Sequence, residues 1–315
     1  MTFELAHVTD VHLGPLPHAR TKHLLSKRSI GYISWHRKRY LIHRVEVLDA
    51  LIKDIHADPP GHTAVTGDLV NIALPDEFVQ AGQWLRRLGE PEDVTVIPGN
   101  HDAYSGRSWR AGWVNWRAYM RGDGEPPAAP VFPFVRRVGP LALIGLSSAV
   151  PSPLGYATGR LGSAQVAPLK DLLAGLGQEG LFRVILVHHP PLDRLIGSRR
   201  HLRDEKALRD VVRDAGAELV LSGHEHVFLL GSMPGPKAPV PVVAGPSASL
   251  LKGDHISSGG YLRYRIDPTG GEAILVELRR FDPTRGSVHP VMQGRIARQD
   301  DGYALVEHAW RPAPA

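Results

Sequence analysis

Five short polar clusters in the sequence contain the residue types that bind metal ions or transfer protons. They are Asp10-Val11-His12, Gly67-Asp68, Gly99-Asn100-His101-Asp102, His188-His189-Pro190 and Gly223-His224-Glu225-His226. Together they offer carboxylates, imidazoles and a side-chain amide, and no sulfur. Such a set of oxygen and nitrogen donors suits Mn, Fe, Zn or Mg rather than a metal that prefers thiolates. The clusters contain enough ligands for two ions.

Each cluster follows a short apolar run that predicts a buried strand. Strands are predicted at 3–9, 63–66, 94–97, 141–146, 183–187 and 218–221, and helices at about 41–56, 77–88, 165–176 and 204–215, with Asp76 as a helix N-cap. This alternation predicts an α/β fold with βαβ units and a largely buried sheet. Ligands bind beyond the C-terminal ends of strands in such sheets, so we expect all five clusters at one edge.

From about residue 236 the pattern changes to antiparallel β structure. Strands are predicted at 240–244, 261–266 and 273–278, with a turn at 268–271. No linker separates this part from the rest. We therefore expect one domain over residues 1–315, with a core at about 3–250 and a C-terminal β extension at about 236–310.

In this order, the five clusters resemble the motifs of the calcineurin-like metallophosphoesterases, including the bacterial cyclic-nucleotide phosphodiesterase and glycerophosphodiesterase branch. The resemblance covers about residues 3–250 and implies two packed mixed β-sheets flanked by helices. It also implies two divalent or trivalent metal ions, which are Mn, Fe or Zn. By resemblance, one ion is held by Asp10, His12, Asp68 and His226, and the other by Asp68, Asn100, His188 and His224, with Asp68 bridging. The family pattern selects His188 rather than His189.

The chemistry of such a site needs a nucleophile and a proton donor. Two ions about 4 Å apart can clamp a phosphoryl group, and a water bridging them loses its proton near neutral pH. His101 is the candidate proton donor for the leaving alkoxide, because it follows Asn100 and adjacent side chains point differently. Asp102 either orients His101 or only caps the following turn.

Residues 107–121 form a segment rich in tryptophan and arginine after the third cluster. On a helical wheel Trp109, Trp113, Trp116 and Met120 share one face, and Arg107, Arg110, Arg117 and Arg121 share a neighbouring face. Two interpretations remain open. Either the tryptophans pack on the core, or the segment is a wall beside the metals that binds substrate through Arg107, Trp109, Arg110 and Trp113.

The excess positive charge of the chain is local. The net charge is +5, with 37 basic and 32 acidic residues, and residues 11–45 contain eight Lys or Arg and no Asp or Glu. Aromatic residues lie among them, as at a membrane–water interface. One hypothesis is a membrane contact through Tyr32, Trp35, Arg37, Lys38 and Arg39. The other is a solvated loop and helix start.

These observations predict a dinuclear metal phosphodiesterase. For its substrate we favour a glycerophospholipid cleaved in the manner of a phospholipase C at the membrane face, with a soluble cyclic nucleotide or glycerophosphodiester as the alternative. A non-catalytic metal-binding scaffold, or a peripheral membrane protein with a vestigial core, is a hypothesis of another class. Local rather than distributed basic charge argues against a nuclease.

The composition excludes several other classes. The chain has no cysteine, which excludes disulfides, thiol nucleophiles and zinc–cysteine sites. It has no run of about 18 apolar residues that could span a membrane. Residues 1–8 are too short and polar for a signal peptide. We therefore expect a cytoplasmic protein, at most peripheral at the inner face of the membrane, and make no prediction of its oligomeric state.

Overall fold

Two mixed β-sheets lie at the centre of the molecule and helices flank them. The computed structural model describes residues 2–24, 27–105, 112–124, 131–192, 197–254, 257–268, 274–299 and 302–310. This architecture confirms the fold that the motifs implied.

The first sheet carries both ends of the described chain. In spatial order its strands are β13 (Gly302–Trp310), β12 (Ser287–Gln299), β11 (Ile274–Asp282), β10 (Gly260–Ile266), β1 (Phe3–Val8), β2 (His62–Val65) and β3 (Val94–Val96). The strands β1, β2 and β3 are parallel. β10 pairs antiparallel with β1, with Leu5 opposite Tyr264. The C-terminal strands therefore extend the sheet that contains the N-terminal strand.

The second sheet is parallel in its centre and antiparallel at its edges. Its strands, in spatial order, are β4 (Phe134–Val138), β5 (Leu141–Gly145), β6 (Phe182–Leu186), β7 (Leu219–Ser222), β9 (Val240–Ala244) and β8 (Leu229–Met233). The pairs β5–β6, β6–β7 and β7–β9 are parallel. The carboxyl ends of β6 and β7 therefore lie side by side at one edge.

The helices of the described residues are α1 (Arg28–Ser34), α2 (Tyr40–Ile42), α3 (Val45–Ala57), α4 (Pro75–Leu88), α5 (Ser163–Gln178) and α6 (Glu205–Ala215). A π-helical turn, Trp35–Arg39, joins α1 to α2. We call these three consecutive pieces the helical segment 28–42. Within the part of the chain that the structure describes, no helix is both long and apolar enough to cross a membrane.

Burial on both faces explains why the central strands are apolar throughout. Successive side chains of a strand point to opposite faces. In β6, Val184 and Leu186 join the core between the sheets, where they share a cluster with Leu5. Ile185 faces the other way and packs in the cluster that contains Leu173 of α5. Each such side chain contributes about 1.5–3 kcal/mol by leaving water, so these two layers hold the strand ends in place.

The predicted elements agree with the structure to within a few residues, with two instructive differences at helix starts. The helix predicted from residue 41 begins at Val45, because His43 and Arg44 are extended and separate it from the helical segment 28–42. α4 begins with Pro75 rather than after Asp76. Proline favours the first helical position because its fixed φ suits the helix and its missing N–H is not needed there.

Two predicted elements in the sequence fall partly outside the described residues. Residues 106–111 and 269–273 lie outside them, so Arg107, Trp109, Arg110 and most of the predicted turn at 268–271 have no structural description. The described remainder of the tryptophan-rich segment is not one helix. It contains two 3-10 turns, Trp113–Asn115 and Arg117–Tyr119.

Candidate metal centre

The residues of all five polar clusters lie just beyond the carboxyl ends of strands. Asp10 and His12 follow β1, Asp68 follows β2, Asn100 follows β3, His188 follows β6, and His224 and His226 follow β7. Residues from the first sheet meet residues from the second: the Nε2 of His188 lies 3.4 Å from Oδ2 of Asp68. The site is therefore built at the common edge of the two sheets.

Tight turns aim these side chains at one another. Six non-glycine residues of the described chain have positive φ, and five of them belong to the clusters: Asp10 (51°), His12 (41°), Asp68 (55°), His224 (73°) and His226 (59°). A left-handed backbone costs a non-glycine residue free energy and persists only where its surroundings hold it. Such strain is concentrated at sites where function needs the geometry.

Glycine lets the loops approach closely enough to form the site. A Cβ atom on Gly223 would lie 2.0 Å from Oγ1 of Thr9 and 2.6 Å from Oδ2 of Asp10. A Cβ atom on Gly99 would lie 2.2 Å from Oδ1 of Asp68. Both contacts are far inside van der Waals distance, so these positions require glycine.

The first group of donor atoms surrounds the carboxylate of Asp10. Its Oδ1 lies 3.1 Å from Nε2 of His226. The Nε2 of His12 lies 3.2 Å from Nε2 of His226, 3.9 Å from Oδ1 of Asp10 and 3.8 Å from Oδ2 of Asp68. Donor atoms of four side chains thus surround one small volume, a distribution suited to coordinating a cation.

The second group shares Asp68 with the first. The Nε2 of His188 lies 3.4 Å from Oδ2 of Asp68 and 3.1 Å from Oδ1 of Asn100. The ring of His224 lies 5.2 Å from that of His188, between centroids. The oxygen Oδ2 of Asp68 is therefore within 4 Å of a histidine from each group, and it is the atom placed to bridge them.

Hydrogen bonds from the surrounding protein orient these ligands. The Nδ1–H of His188 donates to the carbonyl of Thr66 at 2.7 Å, which directs Nε2 into the site. The Oδ2 of Asp10 accepts from Oγ1 of Thr9 and from the backbone N–H of His224, both at 2.9 Å, which leaves Oδ1 for the site. Outer hydrogen bonds of this kind fix the tautomer and the direction of a metal ligand.

The protonation states also fit metal binding. Burial lowers the pKa of His224 well below its usual value, so the imidazole is neutral, and its buried Nε2 has no hydrogen-bond partner among the described residues. An unpartnered buried nitrogen is costly unless something binds it. The donor atoms are oxygen and nitrogen only, and those of Asp10, Asp68 and His188 lie within 4.8 Å of one another, as a metal site requires.

His188 shows the competition between a proton and a metal. Burial lowers its pKa, but the charge of Asp68 and a hydrogen bond to it, together with the charge of Asp10 and the bond to Thr66, raise the pKa to about 9. The imidazole is therefore protonated at neutral pH when only protein surrounds it. A metal ligand must be deprotonated, so ion binding here releases a proton.

His101 lies at the rim of this cluster and is held through one ring nitrogen. Its Nδ1–H donates to the backbone carbonyl of Asn71 at 2.5 Å, and its backbone N–H donates to Oδ1 of Asp68 at 2.7 Å. Burial lowers its pKa to about 4, against the charge of Asp68, which raises it. The free nitrogen, Nε2, is the atom that can exchange a proton with a substrate.

The carboxylate of Asp102 bonds to backbone N–H groups, whereas the sequence left open whether Asp102 orients His101 or only caps the following turn. This carboxylate accepts four backbone N–H groups, from Asp68, Leu69, Val70 and Gly99, at 2.8–3.1 Å. The partner of the His101 ring is Asn71 instead. Asp102 therefore joins two loops that carry ligands, which is more than the turn cap of the alternative interpretation.

His189 is occupied by structural hydrogen bonds. Its Nε2–H donates to the carbonyl of Ala157 at 3.0 Å, and its Nδ1 bonds to Oγ of Ser148 at 2.7 Å. Neither ring nitrogen is available, whereas the Nε2 of His188 faces Asp68 and Asn100.

Trp113 is part of the hydrophobic core, so the prediction that it lines a substrate wall is wrong. It is 4% exposed and packs in the same cluster as Phe78 and Trp116. The packing interpretation of this segment fits its described part. The accompanying predictions for Arg107, Trp109 and Arg110 lie outside the described residues.

The predicted membrane contact divides into buried and exposed residues. Trp35 is 3% exposed, and Tyr32 is half-buried against a small cluster that contains Ile72. The guanidinium of Arg39 turns inward to His12. Only Arg37 and Lys38 of the five predicted residues lie fully on the surface. The burial of Trp35 contradicts a membrane contact through this residue, whereas Tyr32 and Arg39 are partly exposed.

Sequence reasoning missed the positions of three residues beside the site. Arg39, in the helical segment 28–42, contacts His12 through its guanidinium. His43 directly follows that segment, and its ring centroid lies 4.7 Å from that of His12. The buried carboxylate of Glu77 accepts the N–H groups of Asn71 at 2.6 Å and Leu74 at 2.8 Å, and so holds the loop that orients His101. Glu77 stands at the third position of α4, a capping position that the sequence could have revealed.

Replacing Asp102 with alanine tests its task as a loop tie. We expect Asp102→Ala to lower the free energy of unfolding by roughly 2–5 kcal/mol, because it leaves four N–H groups without their acceptor. Urea unfolding followed by circular dichroism measures this loss, with Asp171→Ala on the exposed face of α5 as control. An unchanged unfolding free energy with a lowered turnover would instead support the orientation of His101.

Comparison with known families gives the same result as the geometry. The model of the calcineurin-like phosphoesterase family matches residues 3–228. A probable cyclic nucleotide phosphodiesterase of Rhodococcus erythropolis is 26% identical over 207 residues, which are 64% of this chain and 62% of the relative. A cAMP/cGMP dual specificity phosphodiesterase of Mycobacterium tuberculosis is 26% identical over 212 residues, or 64% of this chain and 58% of the relative. The matched part thus spans about three fifths of each relative.

Solved structures share the fold. A dimetal phosphatase from Danio rerio superposes with a TM-score of 0.61 at 11% identity, over 91% of this chain and 98% of that one. A purple acid phosphatase from yellow lupin gives a TM-score of 0.59 at 12% identity, over 95% of this chain and 54% of that one. Because the family model covers most of the chain and its strand ends carry the ligand clusters, the chain belongs to the calcineurin-like phosphoesterase family.

Proposed function

We propose that this protein is a metal-dependent phosphodiesterase that acts on a small soluble phosphodiester of the cyclic-nucleotide class. The observation that carries the proposal is the convergence of donor atoms from five strand ends around Asp10 and Asp68, with the free nitrogen of His101 at the rim. A non-catalytic scaffold would not need an imidazole at the rim of the site with one ring nitrogen bound to the protein and the other left for a substrate.

The ligand assignment is part of the proposal. One ion is held by Asp10, His12, Asp68 and His226, and the other by Asp68, Asn100, His188 and His224. When bound, the ions supply Lewis acidity for the phosphoryl group and lower the pKa of water. The protein supports this by directing the Nε2 of His188 and the Oδ1 of Asp10 into the site through hydrogen bonds from the surrounding backbone and side chains.

His101 is proposed to hold a proton for the leaving oxygen. The carbonyl of Asn71 fixes the proton on Nδ1, so Nε2 is the atom that carries or accepts a second proton. A bound phosphodiester adds negative charge nearby and raises the pKa of His101 from its low value in the free site. The proton then moves from Nε2 to the alkoxide as the bond to phosphorus breaks.

The choice of substrate rests on the relatives. Both curated relatives are named as cyclic nucleotide phosphodiesterases, and each is 26% identical over part of its length. They support the soluble alternative better than the lipid substrate that the sequence led us to favour. These relatives support hydrolysis of a phosphodiester bond, and they do not identify one nucleotide as the substrate.

A lipid phosphodiester is the second candidate, and one observation favours it. The helical segment 28–42 exposes five apolar side chains beside the exposed cations Arg37 and Lys38. They are Ile30, Ile33, Tyr40, Leu41 and Ile42, which are 36–52% exposed. Apolar groups with cations suit a headgroup region. The same segment reaches the metal centre through Arg39, so it could seat a lipid beside it.

A substrate panel with a ligand variant tests the proposed reaction. With Mn²⁺ present, we expect hydrolysis of bis-(p-nitrophenyl) phosphate and of cyclic AMP, but little of glycerophosphocholine or of phosphatidylcholine vesicles. Asp68→Ala should abolish turnover and reduce the metal content to one ion or none, since Asp68 bridges both groups. An active Asp68→Ala protein with two metals contradicts the ligand assignment. Metal binding without hydrolysis of any phosphodiester would favour the scaffold.

Replacing His101 separates metal binding from proton transfer. His101→Ala should keep both metals and lower kcat by roughly 10²–10⁴ on a substrate with a poor leaving group. The loss should be smaller for bis-(p-nitrophenyl) phosphate, because p-nitrophenolate leaves without a proton. Equal losses on both substrates would mean that His101 does not donate the proton.

Charge reversal on the exposed side of the helical segment 28–42 distinguishes the two substrate classes. If lipid is the substrate, Arg37→Glu with Lys38→Glu should weaken binding to anionic vesicles by about 10- to 100-fold, since each cation contributes about 1 kcal/mol. Hydrolysis of the soluble diester should not change. If wild-type protein ignores such vesicles at low salt, the lipid candidate is wrong.

A further inference from the structure

Arg39 is a cation at the edge of the metal centre without an anionic partner. Its Nη2 lies 3.2 Å from Nδ1 and 3.4 Å from Nε2 of His12. Within the described residues, no carboxylate forms an ion pair with it. Arg39 is only partly exposed, and a guanidinium with reduced access to water is costly unless an acceptor compensates it. Its orientation toward the site therefore indicates an anion that the protein alone does not supply.

Metal binding by His12 would remove the hydrogen-bond acceptor that its ring offers to Arg39. A neutral imidazole that binds a metal through one nitrogen carries its proton on the other. The Nε2 of His12 faces Asp10, Asp68 and His226, so Nδ1 carries the proton in the loaded site. A guanidinium only donates hydrogen bonds. Arg39 then has no acceptor on His12 and is free to bind an anion beside the metals.

The protein holds Arg39 there with buried contacts. Trp35, one π-helical turn earlier, is 3% exposed and stacks on the ring of His43 at 6.5 Å between centroids. Its ring approaches within 3.0 Å of the position where Gly14 would carry a Cβ atom. Arg28 ties the start of the segment to the core by donating to the carbonyls of Ile72, at 2.9 Å, and Ala73. Rare π-helical turns are frequently found at functional sites.

We infer that Arg39 binds the non-bridging phosphoryl oxygens of the substrate and that the helical segment 28–42 is the element that delivers it. This inference rests on the proposed function. The planar fork of a guanidinium matches two phosphate oxygens, which a lysine cannot reproduce. The ligand class is a phosphate ester or free phosphate. Arg39 becomes most effective as attack on a phosphodiester adds negative charge to those oxygens.

Inorganic phosphate, the simplest ligand of this class, is the probe. We expect the Mn²⁺-loaded Arg39→Gln protein to bind phosphate about 10- to 100-fold more weakly than wild type in isothermal titration calorimetry. Arg39→Lys should recover part of the loss, because it retains the charge without the fork. The controls Arg37→Gln and Lys38→Gln, which alter exposed neighbours, should bind phosphate as wild type does. Metal content should be the same in all five proteins.

The kinetic readout separates substrate binding from a structural role. Arg39→Gln should lower kcat/KM for bis-(p-nitrophenyl) phosphate by a similar factor, whereas the two controls should not. Unchanged phosphate binding in Arg39→Gln overturns the inference, as does loss of metal from both Arg39→Gln and Arg39→Lys. If wild type binds phosphate through Arg39 but hydrolyses no diester in the panel, the proposed function fails and the binding role of Arg39 stands.

Discussion

The buried carboxylate of Asp102 is the interaction on which the metal centre depends. It accepts N–H groups from the loop after β2 and from the loop after β3, at 2.8–3.1 Å. These loops carry Asp68, which stands in both donor groups of the site, and Asn100, which stands in the second. Buried N–H groups must find an acceptor, and irregular loops offer few. Within a sheet, the carbonyls of a neighbouring strand accept the backbone N–H groups. Here one carboxylate with several lone pairs accepts them instead, at the point where both sheets end.

Close approach and backbone strain accompany these hydrogen bonds at the strand ends. The five cluster residues with positive φ turn the chain sharply at the strand ends, so that side chains from β1, β2 and β7 converge. Left-handed conformations cost roughly 1–3 kcal/mol each where the residue is not glycine. The two layers of buried apolar strands offset this cost, because they fix the strand ends rigidly. A stable core is thus the physical condition for a strained, preorganised site.

The helical segment 28–42 places an additional side chain, that of Arg39, beside the residues that follow the strand ends. Its buried side, with Trp35 against His43, brings a guanidinium to the metal centre. Its outer side exposes apolar and basic groups. Under the proposed function, this one element would contact both the phosphoryl group and the rest of the substrate, and the strand ends would hold the metal ions.

The sequence by itself determined the fold class, the positions of most strands and helices, and the five clusters at the strand ends. These follow from local patterns: strands and helices have fixed periods, and parallel strands present their carboxyl ends at one edge. Only the tertiary structure decided which polar residues meet. Asp102 was close to His101 in sequence, but its hydrogen bonds are with the backbone of the loops after β2 and β3, and Asn71 is the residue that holds His101. Arg39 looked like a surface cation of a basic segment, yet one π-helical turn directs it inward, while its neighbours Arg37 and Lys38 stay outside. Contacts between residues distant in the chain depend on packing and on the hydrogen bonds that buried groups must make, and no local period encodes them.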